Sequence, residues 1–259
     1  MNEPRPMRDN LLAPALKRHG FVLAMQEELE ALLKRLPEVE TVTRGAFMFW
    51  HGRWHDQDLW IVKSGVGKVN AAMSTQALID HVAPDALWVI GVAGALSPDL
   101  EIGDVLLGTS ALQHDVDASP LGFAPGEVPY DAVSIYKADE RLLACAQALG
   151  AQVFGARLKT GRVLSGDRFI AGAHEVQRLR ERFQGDCVEM EGAAVAQVAQ
   201  KHALPFVIIR TISDRADGKA PHDFPRFLRE AAEDVADFAE KLIAHCATFK
   251  IEKRPHPSG

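Results

Sequence analysis

The stretch that decides the fold is Asp85-Ala86-Leu87-Trp88-Val89-Ile90-Gly91-Val92-Ala93. After Asp85 it contains no charged residue and shows no alternation of polar and apolar positions, so neither face is expected to meet water. A strand buried on both faces is typical of the centre of a parallel sheet, where helices cover both sides. The strand is expected to end at Gly94-Ala95-Leu96, and functional residues in such sheets cluster outside the carboxyl ends of the strands.

Strands and helices alternate on both sides of this central strand. Residues 20–25 and 205–212 predict two further buried strands, and residues 69–82 predict the helix that precedes the central strand. The other expected elements are a helix opening at Gln26, paired strands at 41–50 and 57–63 with a turn at His51-Gly52-Arg53, a strand after Gly103-Asp104, strands at 152–164 and 186–190, and helices at 138–149, 173–183, 191–203 and 223–247. This order predicts an α/β fold, a three-layer αβα sandwich around a twisted, mostly parallel (mixed) central sheet.

The length and composition favour one globular domain. The 259 residues are 47% hydrophobic and 25% charged, and no linker rich in Pro, Gly or Ser divides them. We expect a single domain over residues 1–259, with a weakly ordered arm at 1–18 and a mobile tail at 250–259. No apolar run approaches the roughly 20 residues needed to span a bilayer, and residues 1–20 lack the apolar core of a signal peptide. A cytoplasmic protein without a membrane partner is therefore expected.

Charge and metal-binding residue types exclude several classes of partner. The net charge of −6 and the lack of a long basic run argue against a nucleic-acid partner. The three cysteines, Cys145, Cys187 and Cys246, are odd in number and far apart, which predicts reduced thiols rather than a disulfide framework or a zinc site. The histidines that could bind a metal are scattered: His51, His55, His114 and His222. No metal site is expected.

The segment Ser64-Gly65-Val66-Gly67-Lys68 looks in passing like a phosphate-binding loop. It lacks the Gly-x-x-x-x-Gly-Lys-Ser/Thr spacing of nucleotide-binding loops, and no Gly-x-Gly-x-x-Gly follows the first strand. The glycines are better explained as backbone that turns tightly beside a ligand. Neither a nucleotide nor any other cofactor is expected.

Two segments at predicted strand ends carry carboxylates: Val188-Glu189-Met190-Glu191-Gly192-Ala193 and Arg210-Thr211-Ile212-Ser213-Asp214. A carboxylate can accept hydrogen bonds from two vicinal hydroxyls of a sugar, and a Met side chain can pack on its apolar face. The pKa of an Asp in a pocket that excludes water can be raised enough for it to donate a proton. Taken alone, these residues also fit a structural role, as a carboxylate pair at a helix start and an Asp in a loop.

Six blocks, taken in order, resemble the signature blocks of the 5′-methylthioadenosine/S-adenosylhomocysteine nucleosidases, which belong to the purine nucleoside phosphorylase superfamily. The blocks are residues 24–28, 63–69, 91–96, 163–170, 188–193 and 210–214. They stand at compatible spacing, and the resemblance covers residues 20 to 245. It implies an N-glycosyl hydrolase that releases adenine from 5′-substituted adenine nucleosides, namely methylthioadenosine and S-adenosylhomocysteine, without a metal or a cofactor.

The resemblance implies two catalytic residues. Glu28 matches the glutamate that orients and deprotonates the attacking water, and Asp214 matches the acid that protonates N7 of the leaving adenine, supported by Ser213. Both roles suit the bond, because positive charge builds on the ribosyl ring while the purine leaves as an anion unless it is protonated. Acid–base assistance of this kind typically contributes on the order of 10²–10⁴-fold.

The resemblance also implies how substrate is bound. Glu191 is expected to hold the ribose hydroxyls and Met190 to pack on the sugar. Phe169 is expected to stack on the purine, and the backbone of Ile170 to read its Watson–Crick edge. Ala93 and Gly94, which have little or no side chain, are expected to pass close to the ligand. The full set of expected substrate-binding residues is Ala93, Gly94, Phe169, Ile170, Glu189, Met190, Glu191 and Ser213.

One departure from the family pattern bears on the reaction. Where the nucleosidases usually carry Thr-Gly-Ser-Ala-Gly-Gly, this chain has Ile90-Gly91-Val92-Ala93-Gly94-Ala95, so Val92 replaces a serine. Phosphorylases of the superfamily bind phosphate with arginines and a serine of this loop. The loop here offers no side-chain donor, which favours hydrolysis over phosphorolysis.

Two further alternatives stay open. Futalosine hydrolases carry out the same reaction on a hypoxanthine nucleoside, and they tend to have Asn at the position of Asp214, so the Asp favours a 6-aminopurine. An inactive nucleoside-binding protein on the same fold is the other alternative. The joint presence of Glu28, Glu191 and Asp214 argues against it, because binding alone does not need Glu28.

Residues 114–130 form a long loop that contains three prolines. Loops of this length are usually functional or disordered. In the nucleosidases that the chain resembles, this region reaches the 5′ pocket of the neighbouring subunit. The resemblance therefore implies a homodimer with the 114–130 loop near the partner's site.

Overall fold

The computed structural model describes residues 16–217 and 219–248. Most of the expected arm at 1–18 and the whole expected tail at 250–259 lie outside the described residues. The strands are β1 (Arg18–Leu23), β2 (Val39–Arg44), β3 (Phe47–Trp54), β4 (Gln57–Lys63), β5 (Ala86–Ala95), β6 (Val105–Gln113), β7 (Ile135–Lys137), β8 (Leu158–Ser165), β9 (Cys187–Glu189) and β10 (Phe206–Asp214). The α-helices are α1 (Gln26–Leu33), α2 (Lys68–Val82), α3 (Glu140–Phe154), α4 (Ala173–Phe183), α5 (Gly192–Lys201) and α6 (Ala220–Thr248).

Strand β5 lies at the centre of a mixed sheet, as its sequence predicts. It pairs in parallel with β1 on one side and with β10 on the other. Beyond β1 follow β4 in parallel, then β3 and β2 as an antiparallel extension. On the other side β10, β6, β8 and β9 pair in succession, and β9 pairs back onto β5. These strands therefore close into a ring, from which the first strands extend as an open sheet.

Helices cover both faces of the sheet and confirm the expected three layers. Helices α1, α3 and α6 share one apolar core with the sheet, and α2 and α5 share another. Strand β5 contributes to both: Trp88 and Ile90 lie in the first core, Leu87 and Val89 in the second. Among the helices of the described residues, none combines the length and apolarity needed to cross a membrane.

The expectation of three reduced cysteines is wrong for two of them. Cys145 in α3 and Cys246 in α6 form a disulfide, with their Cα atoms 5.9 Å apart, while Cys187 is free and buried. The two helices pack side by side on one face of the sheet. This packing brings together residues that are 101 positions apart in the chain. Linear spacing could not reveal the pairing.

Three predicted element boundaries are also wrong. The strand expected at 41–50 is divided by a turn at 45–46 into β2 and β3, which pair with each other. The expected turn at 51–53 lies inside β3, where Gly52 pairs with Leu59 on one side and Val39 on the other. A Cβ at Gly52 would stand 2.9 Å from the carbonyl oxygen of Glu38, so this glycine permits close backbone approach rather than a turn. The strand expected from residue 152 begins only at Leu158, because α3 continues to Phe154, which packs on Phe238 of α6.

Candidate active site

A cavity of about 240 Å³ lies outside the carboxyl ends of β1, β5 and β10. This is the edge of the sheet at which the sequence predicts chemistry. All of the predicted site residues line it: Glu28, Ala93, Gly94, Phe169, Ile170, Glu189, Met190, Glu191, Ser213 and Asp214. In the described part of the chain, no group of three or more His, Cys, Asp or Glu side chains could hold a metal ion.

Glu28 projects from the first turn of α1 and is 3% exposed. Its Oε2 atom accepts the backbone N–H groups of Ala24 and Met25, each at 2.9 Å, and its Oε1 accepts that of Val92 at 3.3 Å. The carboxylate is thus folded back over the start of its own helix, as in a capping box. Burial raises the pKa of Glu28, although the nearby Arg210 and the N–H donors oppose the shift. A buried carboxylate with a raised pKa is a stronger base than one in water.

Asp214 ends β10 and lies beside β5, where the register between the two strands shifts. Its Oδ1 accepts the backbone N–H of Ala216 at 2.8 Å, and its Oδ2 accepts the hydroxyl of Ser213 at 2.9 Å. Burial raises the pKa of Asp214, with these two donors opposing it. A Cβ at Gly94 would stand 2.8 Å from Oδ1 of Asp214, so only glycine leaves room for this carboxyl group. A carboxyl with a raised pKa can act as a proton donor.

Glu191 precedes α5 and is 8% exposed. Its Oε1 accepts the backbone N–H of Gly67 at 2.7 Å. Burial raises the pKa of Glu191 to about 8, and the charge of Glu189 acts in the same direction, while the Gly67 N–H and Arg210 oppose it. When ionised, this carboxylate can accept hydrogen bonds from a pair of ligand hydroxyls.

Glu189 has a different set of partners from Glu191, its neighbour in the motif. Its Oε2 lies 2.5 Å from Nη2 of Arg210, and both side chains are at most 4% exposed. The Gly192 N–H donates to both carboxylate oxygens, and the Ser165 hydroxyl donates to Oε1. The carboxylate of Glu189 is therefore engaged by the protein itself, and it holds Arg210 in place beneath the cavity.

The base of the cavity contains a residue to which the sequence assigned no role. Arg210 lies in the middle of β10 and is 3% exposed. A Cβ at Gly91 would stand 2.5 Å from Nη1 of Arg210 and 2.6 Å from Oε1 of Glu28, so Gly91 makes room for both side chains. An arginine inside an apolar strand is itself a sequence signal, because a fully buried arginine requires a paired acid.

Phe169 forms one wall at the mouth of the cavity and is 50% exposed. Its ring meets Phe224 of α6 edge to face, with the centroids 5.7 Å apart. Ile170 beside it is buried. Sequence reasoning missed Phe224, since a phenylalanine at the start of a helix resembles an ordinary core residue. A half-exposed ring next to an apolar wall offers a face on which a planar ligand can stack.

Comparison with known proteins agrees with this geometry. The family model described as the phosphorylase superfamily matches residues 18–244. A 5′-methylthioadenosine/S-adenosylhomocysteine nucleosidase of Marinomonas sp. (strain MWYL1) is 36% identical over 225 residues, which cover 86% of this chain and 97% of the relative. The chain belongs to the phosphorylase superfamily and, within it, to the 5′-methylthioadenosine/S-adenosylhomocysteine nucleosidases.

Solved structures show the same similarity. The nucleosidase of Neisseria meningitidis in complex with methylthio-immucillin-A has a TM-score of 0.84 and 36% identity, and the match covers 88% of this chain and 99% of that one. The native futalosine hydrolase of Helicobacter pylori strain 26695 has a TM-score of 0.85 and 32% identity, with 88% and 98% covered. The resemblance seen in the sequence blocks is confirmed at the level of the fold and the family.

Proposed function

We propose that the protein hydrolyses the N-glycosidic bond of 5′-substituted adenine nucleosides, methylthioadenosine and S-adenosylhomocysteine, and releases adenine. The observation that carries this proposal is the presence of Glu28, Glu191 and Asp214 in one cavity, each buried and each held by its own hydrogen-bond donors. The nucleosidases to which the chain is similar support the same reaction.

The reaction divides between two carboxyl groups. Glu28 takes a proton from a water molecule whose oxygen forms the new bond to the anomeric carbon. The bond from that carbon to N9 of adenine breaks, and its electron pair passes into the purine, which Asp214 protonates at N7. The raised pKa values of Glu28 and Asp214 suit these tasks, since ionised Glu28 is a stronger base and Asp214 keeps its proton for donation closer to neutral pH.

Substrate is held on both sides of the reacting bond. Glu191 accepts the ribose hydroxyls and Met190 packs on the sugar, while Phe169 stacks on adenine and the Ile170 backbone meets its edge. Ala93 and Gly94 leave space close to the ligand. For Glu189 we propose a positioning role rather than direct contact, because both of its oxygens are engaged by protein donors.

The charges around the cavity support hydrolysis over phosphorolysis. Arg210 is neutralised by Glu189, and Arg168, the other arginine lining the cavity, is 65% exposed at its side chain and lies 3.3 Å from Glu175. Val92 supplies no hydroxyl. A phosphate dianion would therefore approach a cavity with several carboxylates and without a free buried cation, which is unfavourable at low dielectric.

Futalosine-type substrates are the second candidate, favoured by the similarity to the H. pylori futalosine hydrolase. Asp214 favours adenine nucleosides, because a carboxyl oxygen can accept a hydrogen bond from a 6-amino group, whereas the 6-oxo group of hypoxanthine requires a donor such as the amide of Asn. We therefore keep adenine nucleosides as the proposed substrates. We further propose a role in methionine salvage and a cytoplasmic location.

We further propose a homodimer in which the 114–130 loop closes the partner's 5′ pocket. Apolar side chains are exposed at the start of α2 and on the loop: Val66, Val69 and Met73 at 50%, 69% and 54%, and Leu121 and Tyr130 at 74% and 90%. Val66 also lines the cavity, so the exposed apolar residues at the start of α2 begin at the site. Exposed apolar patches of this kind mark interaction surfaces.

Product analysis tests the proposed function. Methylthioadenosine is incubated with the protein in the presence and absence of phosphate, and adenine, methylthioribose and methylthioribose 1-phosphate are separated. We expect adenine and the free sugar in both conditions. Strict phosphate dependence with formation of the sugar phosphate would show a phosphorylase, and release of hypoxanthine from futalosine alone would support the second candidate.

A further inference from the structure

Two segments that carry the proposed site meet the segment after β6 at a charged cluster formed by Lys68, Asp115 and Asp167. The Nζ atom of Lys68 lies 2.6 Å from Oδ1 of Asp115. The Oδ2 atom of Asp115 accepts the backbone N–H of Asp167 at 2.9 Å, and Oδ1 of Asp167 accepts the backbone N–H of Lys68 at 2.8 Å. Each residue is thus bonded to the other two, and none of the three lines the cavity.

Two members of the cluster, Lys68 and Asp167, adjoin different parts of the site, and Asp115 links them. Lys68 begins α2 and follows Gly67, whose N–H donates to Glu191 at 2.7 Å. Asp115 lies just beyond the end of β6, and Asp167 stands two residues before Phe169. The cluster therefore joins the segment that contacts the proposed ribose-binding carboxylate to the segment that bears the proposed purine-stacking ring.

The Lys68–Asp115 pair is partly shielded from water, whereas Asp167 is exposed. The side chains of Lys68 and Asp115 are 16% and 23% exposed, so their attraction is screened less than that of a surface ion pair. Burial opposes ionisation of Asp115, but the Lys68 ammonium and the Asp167 N–H hold the pKa of Asp115 below its usual value. The negative charge of Asp115 is therefore retained at neutral pH.

The backbone at residue 67 fits against the same cluster. Gly67 has a φ of 99°, which favours glycine, and a Cβ there would stand 3.1 Å from Oδ1 of Asp167. Gly67 offers no side chain to cap α2, and Asp167 accepts an N–H at that helix start instead. The position of the Gly67 N–H thus depends on residues from other segments.

We propose that Lys68 and Asp115 are positioning residues for nucleoside binding. Their ion pair fixes the Gly67 N–H on the Glu191 carboxylate. It also sets the distance between that carboxylate and the segment that carries Phe169, while neither side chain touches substrate. This inference rests on the proposed function, because it concerns the sugar and the base of a bound nucleoside.

Kinetics of two substitutions provide the first test. Lys68→Met keeps most of the side-chain stem without the charge, and Asp115→Asn keeps the shape of the acceptor. Each is expected to raise KM for methylthioadenosine by at least about tenfold with a smaller change in kcat, because a small misplacement of binding groups is costly. Lys68→Arg should recover most of the loss. The double variant Lys68→Met/Asp115→Asn should be about as impaired as either single variant, as expected for coupled residues.

Titration of Glu191 provides a readout that needs no turnover. The charged groups facing its carboxylate are Glu189, Arg210 and Glu28, and the Gly67 N–H favours its ionised form. If the cluster acts by placing that N–H, both substitutions raise the apparent pKa of Glu191. If it acts only through its electric field, the shifts are opposite, since Lys68→Met removes a cation and Asp115→Asn removes an anion. Carbon-13 NMR of carboxyl-labelled glutamate measures these shifts, with the signal assigned by Glu191→Gln.

A matched control and the alternative outcomes complete the test. Lys201→Met breaks another ion pair between distant segments, in which Nζ of Lys201 lies 2.9 Å from Oδ1 of Asp131. This variant is expected to leave KM and the Glu191 titration unchanged. KM values within twofold of wild type, opposite pKa shifts, or an equal KM rise in Lys201→Met would each overturn the proposal. If Lys68→Met does not fold, KM and the Glu191 pKa of Asp115→Asn still test the proposal. If wild type released no adenine, the proposed function would fail, whereas parallel rises in the Glu191 pKa would still support the placement of Gly67.

Discussion

The Nη2 atom of Arg210 lies 2.5 Å from Oε2 of Glu189, and this buried ion pair sets the electrostatic character of the cavity. Because Arg210 is neutralised by its partner, the remaining carboxyl groups of Glu28, Glu191 and Asp214 leave the cavity without excess positive charge. Such surroundings stabilise a ribosyl ring that gains positive charge in the transition state. They also disfavour an anionic co-substrate.

Asp214→Asn is expected to lower kcat by at least about 10²-fold, in line with the usual contribution of a general acid. Asparagine keeps the shape of the side chain but has no carboxyl proton to deliver to N7. The dissociation constant for an unreactive adenine nucleoside, measured by calorimetry, should change less than kcat. A variant with kcat close to wild type would remove Asp214 from the acid role.

Glu191→Gln is expected to weaken nucleoside binding and to stabilise the free protein at alkaline pH. Burial and then Glu189 raise the pKa of Glu191 from 4.5 to about 8. A carboxyl whose pKa is raised on folding contributes stability that is present below its unfolded pKa and is lost as pH rises through its folded pKa. Wild type should therefore lose this contribution between pH 4.5 and about 8, and the glutamine variant should not.

Thermal midpoints of wild type and Glu191→Gln at about pH 6 and about pH 9 check this sign. The difference in favour of the variant should grow toward the higher pH. Glu38→Gln, a substitution at an exposed glutamate, is the control and should follow wild type. A variant that loses stability relative to wild type as pH rises would contradict the account of Glu191.

The Cys145–Cys246 disulfide is expected to stabilise the fold by about 2–4 kcal/mol, the range typical of disulfides in general. Protein unfolded without reductant should show one reactive thiol, from Cys187, and reduction should raise the count to the full three. Reductant should lower the thermal midpoint of wild type but not that of the Cys145→Ser/Cys246→Ser variant. Three reactive thiols before reduction would contradict the disulfide.

The paired substitution Val69→Asp/Met73→Glu is expected to produce a monomer with a raised KM, because both side chains are exposed on α2, which follows the cavity residue Val66 in the chain. Light scattering measures the mass, and adenine release measures KM. Met48→Glu replaces another exposed apolar residue, 47% exposed on β3, and should leave the mass unchanged. An active wild-type monomer would contradict the homodimer.

Much of the fold could be predicted because local pattern and burial agree. The uninterrupted apolar run at 85–93 predicts a central strand, and β5 is indeed buried on both faces. The errors arise where tertiary contacts determine where a strand or helix begins and ends. Gly52 looks like a turn residue but lies in β3 between two partner strands, and the helix α3 extends past its predicted end because Phe154 finds a partner in Phe238.

In the candidate site, too, some features could be predicted from the sequence and others could not. The carboxyl groups of Glu28, Glu191 and Asp214 stand in motifs at strand ends, so both their presence and their common edge could be predicted. The partners of Arg210 and the Lys68–Asp115 pair could not, because residues 21 and 47 positions apart meet only through the topology of the sheet.

The central claim is that this cavity hydrolyses a glycosidic bond with a water molecule held by Glu28. The measurement is the rate of adenine release from methylthioadenosine by wild type and Glu28→Gln, each with and without phosphate. Calorimetry measures in parallel how tightly both proteins bind an unreactive adenine nucleoside. We expect wild type to release adenine equally in both buffers, and Glu28→Gln to bind the nucleoside with nearly unchanged affinity yet release no adenine in either. Release that depends on phosphate, or a Glu28→Gln variant that loses the ligand or keeps its turnover, would contradict the account.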